Sequence, residues 1–296
     1  MKKIELVAPA GNIEKLKVVM ELGTDIVHIG GKIVNMKFGT ENFSDEDLLE
    51  SVHYVHSLGK KIYVSLNAVP HNDEIEILPE YIGFLEKSQV DGVIVSDLGV
   101  FQCVKEFSEL LITVETHSSN TNWYSVKMWR DLGADTIIIH RDVTLENMNE
   151  IRQKVPNIKL EVAIHGPINM AISGRPLISN YITAKNLKED AKRDDFTITE
   201  ETRPGEYMPI FQDKYGTSIF SGRDICGISS LFNLLEVGID KIKIQGGMKD
   251  INYLKIVTKV YREALDEYQN NENPKIDPSW LERLKEISDK PFIDIF

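Results

Sequence analysis

Apolar residues recur along this chain in short runs separated by amphipathic stretches. A helical segment ends in Gly, a brief polar link follows, and an apolar run begins: ELGTD-IVHIG, SLGKK-IYVSL, DLGAD-TIIIH and EVGID-KIKIQ. Glycine after a helix suits the left-handed cap position. Val- and Ile-rich runs of four to six residues suit strands buried on both faces. Eight strands are predicted: 4–8, 26–30, 61–66, 92–96, 111–115, 136–140, 159–165 and 241–245. Helices are predicted between them, among them 12–22, 44–58 and 144–155, and Ser44 with Asp47 reads as a capping box. Eight strand–helix units predict a (β/α)8 TIM-type barrel. A doubly wound sheet is the alternative, but no glycine-rich fingerprint follows the first strand.

The seventh unit departs from the pattern. EVAIHGPINMAISGRPLISNY (161–181) begins as a buried strand and then turns polar, predicting a loop where a helix should start. An insertion of about 166–222 precedes the helix at 227–238 and reads as a turn-rich β excursion. A barrel over 1–270, with its rim insertion, and a linker and short C-terminal tail over 271–296 complete the expected organisation. Long loops at the C-terminal rim of a barrel are usually functional.

Composition narrows the functional classes. Of 296 residues, 42% are hydrophobic and 27% charged, as in soluble globular proteins. No stretch approaches a membrane span, and a cytoplasmic location is expected. The net charge of −12 argues against broad non-specific nucleic-acid binding. KNLKEDAKR (185–193) is a local basic exception, for which a solvated loop is the simpler reading. Cys103 and Cys226 are the only cysteines, too few for a four-thiolate site.

Candidate chemistry is sought at the C-terminal strand ends. His28, His71, His117, His140 and His165 fall there, with Asn67, Asp97 and Glu115. A histidine-rich rim suits a divalent metal, with His28 and His140 as candidate ligands, although no ligand spacing fixes a site. Polar-substrate binding is the plainer reading. Alternation predicts that Glu161, Ala163 and His165 share one face of strand seven, and Lys241, Lys243 and Gln245 one face of strand eight. A Glu161–Lys243 ion pair near the barrel axis is therefore expected, structural or proton-positioning. Cys226 is placed before a helix N-terminus, where a thiol pKa falls, and a Cys226–His165 nucleophilic pair is a lesser alternative to an inert thiol.

The segments ELVAPAGNIEKLKVV, NFSDEDL, VSLNAVPHN, GVIVSDLGV, IRQKVPNIKLEVAIHG, SGRPLISNY, TRPGEYMPI and GIDKIKIQGGMKD resemble the collagenase-like U-thirty-two peptidase family, from residue 3 to about 268. The resemblance implies the same barrel and carries a peptidase label without established catalytic residues. It also implies kinship with proteins of oxygen-independent hydroxylation of transfer RNA, ribosomal RNA or ubiquinone, which hold an iron–sulfur cluster on four cysteines. At the matching positions this chain has Asn169, Pro176 and, in place of a cysteine-containing loop, KEDAKRDDF; only Cys226 is kept. Gln245 and Gly247 stand where the family has a carboxylate and an arginine. The resemblance thus implies a lost cluster and no cofactor beyond a divalent metal.

Three functions follow. The first is a metal-assisted hydrolase of the peptidase-labelled family, with His165, Glu161, Arg175 and Lys243 as candidate catalytic residues. Asn67, Asp97, Glu115, His117, His140, Ser173, Tyr181 and Arg223 are then candidates to bind a small-molecule, peptide or RNA substrate. The second is a cluster-less relative or accessory of RNA or ubiquinone hydroxylation, working beside a cluster-bearing homologous partner. The third is a non-catalytic barrel holding a small anion.

Overall fold

A computed structural model describes residues 3–35, 43–116, 119–188, 195–294 and 296. Seven parallel strands follow in chain order: β1 (Glu5–Ala10), β2 (Ile26–Gly30), β3 (Lys61–Leu66), β4 (Gly92–Val95), β5 (Leu111–Val114), β6 (Thr136–Ile139) and β7 (Lys159–Ser173). An insertion then supplies β8 (Thr197–Glu200), β9 (Arg203–Asp213) and β10 (Gly216–Cys226), and β11 (Lys241–Ile244) is the eighth barrel strand. Closure is complete: β11 pairs in parallel with β1, Glu5 opposite Lys241, and with β7, Glu161 opposite Lys241. The fold is the (β/α)8 barrel that the periodicity predicts.

The helices that follow successive strands are α1 (Ile13–Glu21), α2 (Asp45–Ser57), α3 (Asn72–Lys87), α4 (Leu98–Phe107), α5 (Trp123–Leu132) and α6 (Leu145–Lys154). After them come α7 (Leu177–Ala184) in the insertion, α8 (Leu231–Glu236), α9 (Ile251–Asn270) and α10 (Pro278–Glu286). The Ser44–Asp47 capping box is present, each residue satisfying the other's backbone N–H at the start of α2. Two apolar cores result. The larger fills the space between strands and helices; a smaller one of Val7, Ile26, Tyr63, Ile94 and Ile138 lies inside the barrel.

The GTD, GAD and GID sequence links, together with Val90–Asp91, have a structural counterpart at the N-terminal rim. Asp25, Asp91, Asp135 and Asp240 each precede an even-numbered barrel strand. Their carboxylates accept the backbone N–H of Leu6, Ile62, Ile112 and Leu160, at 2.8–3.0 Å, in the odd strand before. Each aspartate N–H donates back to the carbonyl of that same residue. Basic or imidazole side chains complete three of these clamps: Lys60 and Arg262 at Asp25, the His56 ring at Asp91, and Arg152 at Asp240.

The segment after His165 is not a loop. β7 continues to Ser173, because β10 returns beside it as an antiparallel partner, with β9 and β8 extending the ribbon. The C-terminal residues fold back onto the insertion: β12 (Phe292–Ile293) pairs with Asp224 and Ile225 of β10. Lys249 and Lys290 lie 3.3 and 3.9 Å from the buried carboxylate of Asp224. Among the described residues, no helix is long and apolar enough to cross a membrane.

Candidate functional site

The polar interior opens at the C-terminal mouth of the barrel. A cavity of about 210 Å³ lies there, its walls drawn from β1, β2, β3, β11, their following loops and the insertion. Alternation on β3 aims Ser65 and Asn67 at it, and β2 contributes His28. Four carboxamides line it, Asn35, Asn67, Asn169 and Gln245, together with the ring of Phe220. A side pocket of about 70 Å³ adjoins it, sharing Glu115, Asn169 and Gln245 and adding His140 and Arg141. Arg141 Nη1 donates to the carbonyl of Asn169 at 3.0 Å, tying the insertion to the end of β6.

Lys243 forms the charged centre of this mouth. Its side chain is 3% exposed, and Nζ lies 2.8 Å from Glu115 Oε1. A buried ammonium requires such a partner, since desolvation of an isolated charge costs several kcal/mol. Beside this pair, burial pushes His28 down to about 3, and the positive charge of Lys243 adds to the effect. His28 is therefore a neutral imidazole at any ordinary pH, and its buried Nε2 has no hydrogen-bond partner. The formal charge of Lys243, Glu115 and His28 sums to zero, so the cavity presents dipoles and hydrogen-bonding groups more than net charge.

The ion pair differs from the expected one. Glu161 does lie inside the barrel, but it neighbours Lys241, directly across from it on β11. Burial raises the Glu161 carboxyl and lowers the Lys241 ammonium, both towards their uncharged forms. Lys241 Nζ sits 5.1 Å from the centre of the Tyr63 ring.

His165 is turned away from the mouth. Opposite Lys243 and Ile244 the register of β7 jumps from Ala163 to His165, a bulge that leaves Ile164 over. Ile164 and His165 consequently both face the helix layer. Gly166, at φ +114°, supports the turn, and a Cβ there would lie 2.2 Å from the Gln245 carbonyl oxygen. His165 is fully buried, its Nδ1 3.2 Å from the Tyr261 hydroxyl and its ring packed by Tyr253, Tyr261 and Phe292. Burial pushes it down to about 3. The expected sharing of one face by Glu161, Ala163 and His165 fails at this bulge.

Several other candidates have defined places outside the cavity. Asp97 caps α4, accepting the Val100 N–H at 3.0 Å. His71 precedes α3 on the surface. Ser173 Oγ accepts the Arg175 N–H, while the Arg175 and Tyr181 side chains are exposed. Arg223 pairs with Glu206 at 2.5 Å on the surface. His117 lies outside the described residues, as do 189–193 of the basic segment. Asn67, Glu115 and Lys243 line the larger cavity, and His140 the smaller. Asn35, Ser65 and Phe220 were not foreseen. The period-two face of β3 signals Ser65; nothing in local spacing signals Asn35 or Phe220.

The donor set does not fit a four-thiolate cluster of this chain's own. Cys226 is directly opposite His165 on β10, so it faces the helix layer while Asn169 lines the cavity. Burial pushes the Cys226 thiol up to about 11. This reverses the expected helix-terminus effect, because α8 begins only at Leu231. Cys103 is on α4, on the outer layer. Among the described residues, no group of three or more His, Cys, Asp or Glu side chains is arranged to hold a metal ion.

Fold and site together define a (β/α)8-barrel protein with a polar cavity at its C-terminal mouth and a β insertion over the rim. Within that class, the chain belongs to peptidase family U32, whose sequence pattern matches residues 11–296. It is 33% identical to tRNA hydroxylation protein P1 of Bacillus subtilis, over 98% of this chain and 69% of that protein. It is 32% identical to tRNA hydroxylation protein P2 of the same organism, over 97% of this chain and 94% of that protein. An uncharacterized protease of Methanocaldococcus jannaschii is 32% identical over 90% of this chain and 66% of its own length. A solved U32 peptidase structure superposes with a TM-score of 0.54 at 16% identity, covering 83% of this chain and 94% of that one, which bears on fold alone.

Proposed function

We propose that this protein acts in the hydroxylation of a base in RNA, without a redox centre of its own and beside a cluster-bearing homologue. The mouth cavity carries the reading. Enzymes that modify a base take it out of its stack and hold it by its edge and face. Asn35, Asn67, Asn169 and Gln245 offer paired donors and acceptors for such an edge, and Phe220 offers a ring. The similarity to two tRNA hydroxylation proteins supports the same class of substrate. Lys243, steadied by Glu115, supplies a fixed donor to an oxygen of the bound ring, and neutral His28 a second polar contact. Two cysteines, one a buried protonated thiol, motivate the separate electron-transfer partner.

The hydrolytic reading has weaker support. Ser65 is the hydroxyl nearest to hand in the larger cavity, yet His28 Nε2 makes no hydrogen bond that would activate it.

Deletion of the gene followed by mass spectrometry of tRNA and rRNA nucleosides tests the proposal. Loss of a hydroxylated nucleoside, restored by the wild-type chain, is the expected result. An unchanged profile refutes it.

A further inference from the structure

We propose that the outer face of α7 is a docking platform for a single-stranded loop of RNA. The inference rests on the reading of the chain as an RNA-modification protein and adds where the polymer is gripped. α7 is fastened to the insertion by its inner side. Ser179 N–H donates to Gln212 Oε1 at 3.1 Å, Gln212 Nε2 donates to Ser179 Oγ at 2.7 Å, and Leu177 N–H donates to Thr217 Oγ1 at 3.0 Å. Ile178 is the helix's one buried residue.

The side opposite Ser179 is apolar and open. Leu177 and Tyr181, four residues apart and so on one face, are 38% and 59% exposed. Leu187 beyond the helix is also exposed. An apolar face alone would suit a protein partner equally well. The charge around this one decides between them. Residues 166–188 contain Arg175, Lys185 and Lys188 and no acidic residue, in a chain whose net charge is −12. All three cations are exposed, and none makes an ion pair among the described residues, whereas Arg203, Lys214 and Arg223 of the same insertion are each paired with a glutamate.

An exposed tyrosine flanked by cations that make no ion pair among the described residues suits a single strand of nucleic acid: it offers a surface on which a base stacks, and charges for the phosphates on either side. The location is suited to delivery. β7 runs unbroken from Asn169, in the cavity wall, to Ser173, just before α7. A loop held on α7 therefore lies on the same rim as the cavity that would receive its displaced base.

The test is fluorescence anisotropy of the full chain with labelled bulk tRNA and a labelled mixed-sequence single-stranded RNA, across a salt series. Every substituted side chain is exposed, and circular dichroism checks that the variants fold. Tyr181→Ala should weaken binding about tenfold, within the range of a lost stacking platform, and Tyr181→Phe should restore it. The triple variant Arg175→Gln, Lys185→Gln, Lys188→Gln should lower the slope of log affinity against log salt by about 2, the loss of three phosphate contacts on a single strand. Unchanged affinity and slope in these variants overturn the platform, as does a wild-type chain that binds neither RNA. Hydrogen-exchange protection of α7 by a co-purified protein, and not by RNA, also overturns it. The nucleoside profile of the deletion strain reports separately: if a hydroxylated nucleoside is lost while the variants bind normally, the platform alone is rejected.

Discussion

Lys243 Nζ and Glu115 Oε1 meet at 2.8 Å across the barrel mouth, one from β11 and the other from the residue after β5. Neither strand is next to the other, so the pair spans the cavity rather than stitching neighbours together. Glu115→Gln would leave the buried ammonium without its anion. Removing one partner of such a pair costs roughly 3–5 kcal/mol. Urea denaturation should show a loss of that order in Glu115→Gln, and substantial recovery when Lys243→Met is added.

Two buried histidines fix the direction of the acid response. His28 and His165 are each depressed to about 3 in the folded state, against roughly 6.5 in an unfolded chain. Between these values the unfolded chain binds the extra protons, so stability falls as pH drops from about 6.5 towards 3, by up to about 1.4 kcal/mol per unit for each histidine. Asp25 and Glu5, held below the usual carboxylate range in the folded protein, act with the same sign at lower pH. The difference between wild type and His28→Gln isolates one histidine: the variant's stability should decline less steeply between pH 6 and 4. Equal slopes would show that His28 is charged in the folded state.

Gly166→Ala tests the bulge. At φ +114° and 2.2 Å from the Gln245 carbonyl, the added methyl cannot be housed without shifting β7 or the Gln245 loop. The expected outcome is a loss of at least about 2 kcal/mol in denaturation, together with a changed chemical shift of the His165 ring.

Cys226 should be slow to react. With its pKa pushed up to about 11 and its side chain buried, it should resist a thiol reagent in the native protein. Cys103, half-buried on α4, should react first. Rapid modification of both thiols in native protein would contradict the burial of Cys226.

The strands were legible because both sides of each are covered, which leaves uninterrupted runs such as TIII and KIKI. The prolonged β7 was not, because its continuation depends on β10, some fifty residues further along, and Gly166–Pro167 reads locally as a stop. His165 was misplaced for a related reason. Alternation is a rule of period two, and one extra residue at Ile164 reverses it. Asn67, Glu115 and Lys243 were accessible from strand ends alone, whereas choosing Glu115 over Glu161 as the partner of Lys243 depends on the stagger of strands around the barrel. Asp97 shows the opposite failure: a rim carboxylate that spacing marks for chemistry is occupied by capping a helix.

The clamp at Asp240 can be tested in the same way as the mouth. Asp240→Ala removes acceptors from the Leu160 N–H and from Arg152. It should cost roughly 3 kcal/mol in denaturation.

These four aspartates all sit on the floor of the barrel, and the cavity opens at the roof. What secures the scaffold and what meets a ligand are thus kept a full strand length apart. Such a division lets side chains at the roof, Asn169 and Gln245 among them, be exchanged without disturbing the hydrogen bonds that hold the container together.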